Sequence, residues 1–183
     1  QLKRLWPGAK FISIRRNPYE VYVSTVNYYR RLLPTLALQR YDGVDIEGIV
    51  LETYRRVMER YQADAAAMGE DELVETTFED VTARPMEELA RIHERLDLPG
   101  WEAARPRFEA YLEGQREYRK NNYAISDKDA ARVEGAWGEY IERWGYARPG
   151  AAGGEERAPG EDGEPGGVRV SAGERAARAA TRR

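Results

Sequence analysis

Cysteine is absent from the 183-residue chain and histidine occurs once, at His93. The missing thiols remove disulfides, thiolate nucleophiles and cysteine-ligated metals together, and no metal site is expected. The lone imidazole lies beside the apolar face of a predicted helix, where it reads as a packed or capped side chain rather than a general base. No apolar run approaches the length of a membrane span, and the first residues show no signal peptide, so a cytoplasmic location is the default. The net charge of −3 argues against general nucleic-acid binding. With 42% hydrophobic and 33% charged residues, the composition is that of a soluble chain long enough for one domain with a real core. Gln1 is not a natural initiator, so the chain is expected to begin partway through a longer protein.

What is present is concentrated early. Lys3, Arg4, Lys10, Arg15, Arg16, Arg30, Arg31 and Arg40 face only Glu20 before Asp42. That imbalance suits a compact polyanion such as a nucleotide, and equally a solvated charged face. Within it, Phe11, Ile12 and Ile14 form the short apolar, β-branched run expected of a strand covered on both faces, ended by Arg15 and Arg16. Asn17 is placed to cap a helix starting at Pro18, and Glu20 sits where a capping-box acid reaches back to the turn. Partial positive charge at the helix start, the five-donor fork of Arg16 and the hydroxyl of Ser24 together make a candidate phosphate cradle at the carboxyl end of a strand. Ser24 lies roughly 9 Å up an ideal helix from Pro18, so the two groups share an anion only if the turn stays irregular or the helix begins late.

At these residues the chain resembles the sulfotransferases. Arg16-Asn17-Pro18 followed by Val21, Val23 and Ser24 looks like their 3′-phosphate-binding signature, and Leu5-Trp6-Pro7-Gly8-Ala9-Lys10-Phe11 is similar to its usual lead-in. The resemblance implies that Arg16 and Ser24 hold the 3′-phosphate of 3′-phosphoadenosine 5′-phosphosulfate (PAPS), the sulfuryl donor. Phe78-Glu79-Asp80-Val81 with Arg84-Pro85 resembles a second landmark, with Phe78 standing where tyrosine is usual. Its ring is expected near the adenine without a hydroxyl contact. Leu98-Pro99-Gly100-Trp101 resembles a third. In Tyr118-Arg119-Lys120-Asn121-Asn122-Tyr123, Arg119 and Lys120 match the basic pair that closes over the 3′-phosphate, although Asn121 replaces the glycine expected after it. The same loop also reads as a solvated interhelical turn.

Around these motifs the pattern alternates. A helix over 18–33 stopped by Pro34, a loop over 35–45 and a helix over 46–68 capped by Asp45 precede a second strand over 73–78. Further helices are expected over 85–96, over 101–118 with a restart at Pro106, and over 127–144 behind a Ser126/Asp129 capping box. This order requires an α/β fold, a parallel sheet with flanking helices of the P-loop-NTPase type. Residues 1–146 form the domain. Residues 147–183 are rich in Gly, Ala, Pro, Glu and Arg, and are expected to be a disordered tail.

One part of the resemblance is missing. Neither Gly-x-x-x-x-Gly-Lys-(Ser/Thr) nor a Ser-Gly-Thr type loop occurs, so the fold is expected to be incomplete, with the 5′-phosphosulfate loop and the catalytic base upstream of Gln1. The expected function is that of a sulfotransferase fragment carrying the 3′-phosphate half of the donor site, inactive alone. Its acceptor is a hydroxyl or amine on an unidentified small molecule, glycan or peptide. A fragment of a P-loop kinase-like enzyme and a non-enzymatic helical scaffold are the alternatives.

Overall fold

Parallel neighbouring strands need a long connection between them, and this chain builds one from two helices. The computed structural model describes residues 2–115 and 124–149. A short helix α1 (Leu2–Leu5) precedes β1 (Phe11–Arg15), which leads into α2 (Pro18–Leu36). Then α3 (Ile46–Ala65) returns the chain to β2 (Leu73–Thr77), which pairs with β1 in parallel, Ile12 opposite Val74 and Arg15 opposite Thr77. Among the described residues four helices follow: α4 (Phe78–Ala83), α5 (Pro85–Arg95), α6 (Trp101–Gly114) and α7 (Asp127–Trp144).

The core lies where α2, α3 and α7 meet. Their apolar stripes supply Tyr19, Tyr22, Val26, Val50, Ala130, Val133, Trp137, Tyr140 and Ile141, all buried. Trp137 is fully enclosed, donates its indole N–H to the Leu51 carbonyl at 2.9 Å, and lies 4.0 Å from the Tyr54 ring by centroids. Because Tyr22 meets Trp137 edge-on at 6.0 Å, α2 is seated on α7. The capping of α7 follows the sequence: Ser126 accepts from the Asp129 N–H at 3.1 Å. Its hydroxyl returns a bond to the Asp129 carboxylate at 2.8 Å.

Alternation along the strands sorts the sheet's two faces. Val74 packs with Ile92 of α5 and with Leu96, which follows that helix, and Thr76 donates to the Glu88 carboxylate at 2.8 Å. On the opposite face, Tyr61 of α3 donates to Glu75 at 2.6 Å, and the Arg15 guanidinium sits 5.4 Å from the Trp144 ring. The expectation that β1 is covered on both faces is not met. Ile12 and Ile14 are 48% and 56% exposed, because α5 covers β2 and reaches no further across the sheet.

Other boundaries shift for local reasons. Pro34 does not stop α2, which runs two residues past it to Leu36; one absent N–H near a helix end removes one bond, and Ala37 still donates to Leu33 at 2.9 Å. Helix α6 is likewise continuous through Pro106 rather than restarted there. Helix α3 ends at Ala65 instead of residue 68, the chain tightening into turns closed by Ala67 N–H to Asp64 and Met68 N–H to Ala65. Phe78 belongs not to β2 but to α4, which the sequence reading did not separate. Thr77 caps that helix by accepting from Asp80 N–H at 3.0 Å. His93 is packed as expected, its Nδ1 3.0 Å from the Leu89 carbonyl and its ring 4.8 Å from Trp101. Residues 116–123, with Arg119 and Lys120, and residues 150–183 of the expected tail lie outside the described residues.

Candidate phosphate-binding site at the end of β1

The strand delivers Arg15 and Arg16 to its carboxyl end, and their side chains part. Arg15 falls on the α3 and α7 side, over Trp144, with its Nε buried and unpaired. Arg16 turns toward the start of α2. There Asn17 acts as the cap, its side-chain oxygen accepting from Tyr19 N–H at 3.0 Å, and Pro18 takes the first helical position.

Glu20 does not complete the capping box. Its Oε2 instead accepts from both Nε and Nη2 of Arg16, at 2.9 and 2.7 Å. The Asn17 N–H that a capping-box acid would take is bound by Glu79 of α4, at 3.2 Å. The other oxygen of Glu79 accepts from the Tyr146 hydroxyl at 3.2 Å. Burial and then the adjacent Glu79 charge push the Tyr146 hydroxyl up to about 12, so it remains a donor at neutral pH. Phe78 completes the arrangement, its ring 4.4 Å from the Arg16 guanidinium carbon.

Two predicted site residues are therefore brought together, Arg16 and Phe78. Ser24, half-buried, lies on α2 one turn beyond Glu20, so the residue that holds Arg16 and the serine share a helix face. Among the described residues no group of three or more His, Cys, Asp or Glu side chains is arranged to hold a metal. No helix among them is long and apolar enough to cross a membrane.

Residues 1–103 match the profile described as the sulfotransferase family. The chain belongs to that family. Two curated relatives, the omega-hydroxy-beta-dihydromenaquinone-9 sulfotransferases Stf3 of Mycobacterium bovis and Mycobacterium tuberculosis, are each 33% identical over 149 residues. That alignment takes in 80% of this chain and 38% of each relative, so the chain spans well under half of their length. Among solved structures, sulfotransferase STF9 from Mycobacterium avium superposes with a TM-score of 0.65 at 18% identity, covering 78% of this chain and 38% of that one. This last likeness shows the sulfotransferase fold.

Sequence reasoning missed Glu79 and Tyr146 as supports of this sulfotransferase-like strand end, and assigned Glu20 to the wrong partner. The Arg16/Glu20 spacing of four was a usable signal for the ion pair. Nothing local in the sequence marks Glu79 as a cap for a helix more than sixty positions earlier.

Proposed function

We propose that this chain carries the 3′-phosphate half of the donor site of a sulfotransferase that moves a sulfuryl group from PAPS to an acceptor hydroxyl or amine. The observation that carries the reading is the placement of Arg16, over the Phe78 ring and held by Glu20, one helical turn before Ser24 on α2. Glu20 and Ser24, four apart on a helix, have Cβ atoms about 6 Å from one another. Arg16, bound to Glu20, brings a guanidinium to this turn of the helix and Ser24 brings a hydroxyl, and both are donors of the kind a phosphate accepts from. The groups present therefore suit a phosphate.

In this reading Arg16 and Ser24 bind the 3′-phosphate and Phe78 lies beside the adenine. Arg119 and Lys120 close over the same phosphate. PAPS supplies the sulfuryl group. The 5′-phosphosulfate loop and the catalytic base belong to a part of the protein preceding Gln1, in keeping with the 38% of the relatives' length that this chain spans. Alone, it binds nucleotide without turnover. The name of the mycobacterial relatives specifies an omega-hydroxy compound, which favours a hydroxyl over an amine as acceptor here.

The test is a thermal shift with adenosine 3′,5′-bisphosphate against adenosine 5′-monophosphate and ATP. The bisphosphate alone should stabilise the protein. Equal stabilisation by all three, or by none, would remove the donor-site reading.

A further inference from the structure

Glu20 stands at the third position of α2, where an acid ordinarily returns to the cap N–H. Here Glu79 has taken that N–H. We propose that Glu20 is a positioning residue for Arg16, released from the helix cap by Glu79, and that it sets which edge of the guanidinium meets the donor phosphate. The proposal rests on the reading of Arg16 as a phosphate ligand.

The geometry is specific. One oxygen, Oε2, sits in the notch between Nε and Nη2 and accepts a hydrogen bond from each. A guanidinium has five N–H donors, so three remain, two on Nη1 and the outer one on Nη2. The outer one on Nη2 and one of those on Nη1 define the edge opposite the Cδ stem, while the other Nη1 hydrogen points back beside Cδ. The flat of the group is fixed as well, by the Phe78 ring 4.4 Å away. With one edge and one face committed, a single edge is left to receive an anion, and the side chain keeps 28% of its accessible surface through which to do so. An arginine fixed in this way spares the ligand the ordering of a long, rotamer-rich side chain.

Holding Arg16 requires an acceptor at this distance, not a negative charge. The carboxylate also stands one helical turn from Ser24, so its charge opposes a phosphate bound there. Glutamine, of the same length, keeps the acceptor and removes the repulsion. Aspartate keeps the charge but falls a methylene short. Positioning and charge are thereby separable by substitution.

The experiment measures the dissociation constant of adenosine 3′,5′-bisphosphate by calorimetry for the full chain and for Arg16→Ala, Glu20→Ala, Glu20→Asp, Glu20→Gln and Glu79→Ala, with helix content checked by circular dichroism. Arg16→Ala should weaken binding by about tenfold or more, the effect of losing a charge-assisted contact. Glu20→Ala and Glu20→Asp should each weaken it by roughly fivefold, and Glu20→Gln should bind as the parent or more tightly. Glu79→Ala should also weaken binding, because the freed Asn17 N–H draws Glu20 back to the cap. Combined with Glu20→Ala it should add nothing further. Tighter binding by Glu20→Ala would show that the carboxylate competes with the ligand and would overturn the proposal, as would Glu20→Gln proving as weak as Glu20→Ala. An Arg16→Ala protein that binds like the parent would instead bring down the donor-site reading itself.

Discussion

Replacing Trp137 by phenylalanine should lower the unfolding free energy by about 2 kcal/mol. The indole is fully buried and its N–H donates to the Leu51 carbonyl at 2.9 Å, a bond that phenylalanine cannot make. A neutral hydrogen bond contributes about 1 kcal/mol net. The smaller ring leaves a void of roughly 40 Å³, which at about 24 cal/mol per Å³ costs about 1 kcal/mol more. Contact with Tyr54 and Tyr22 survives in part, since a phenyl ring still occupies the space between α2, α3 and α7. Urea unfolding followed by circular dichroism reads this as a lower midpoint at unchanged slope. Trp137 meets α2 at Tyr22, whose side chain leaves the helix on a different face from those of Glu20 and Ser24, so the folded variant should bind adenosine 3′,5′-bisphosphate within about twofold of the parent. A midpoint shift worth under about 0.5 kcal/mol would refute the view that Trp137 joins the three helices through both its volume and its hydrogen bond.

Two other outcomes follow from the packing. The Arg91 guanidinium, and then the Thr76 hydroxyl, hold the Glu88 carboxyl below the usual glutamate range. Its contribution to stability is therefore present above the unfolded value of about 4.3 and is lost as pH falls through the lower folded value. Urea midpoints measured from pH 6 to pH 3 should fall more steeply for the parent than for Glu88→Gln; parallel slopes would contradict the assignment. Gly145 ends α7 at φ 66°, with open space where a Cβ would stand. Gly145→Ala should thus cost about 1 kcal/mol from backbone conformation alone, with Gly145→Asn milder, and equal losses from both would point to a clash instead.

How much of this was legible in the sequence depended on range. The cap at Asn17, the proline start of α2, the capping box at Ser126 and the span of α7 are local signals, and each appears where the residues place it. Helical spacing likewise matches the buried face of α7, whereas Tyr29 of α2 and Val57 of α3, at helical spacing from the buried Val26 and Val50, are left exposed. Covering of β1 was not legible. Ile12 and Ile14 read as buried from their chemistry, yet burial depends on whether a neighbouring element reaches them, and α5 stops at β2. The partner of Glu20 was misread for a related reason. Two acceptors competed for one N–H, and the winner, Glu79, is brought there only by the pairing of β1 with β2. The arrival of Phe78 against Arg16 depends on the same pairing, which sets Arg15 opposite Thr77 and so brings the residues that follow each strand side by side.

The central claim is that Arg16 and Ser24 act on one 3′-phosphate. A double-mutant cycle of Arg16→Ala and Ser24→Ala, read as the affinity for adenosine 3′,5′-bisphosphate, tests it directly. Each single change should weaken binding, by about tenfold for the arginine and roughly threefold or more for the serine, and the double variant should lose less than the product of the two. Independent losses that multiply in full, or a Ser24→Ala protein that binds like the parent, would mean that the guanidinium and the hydroxyl do not share an anion.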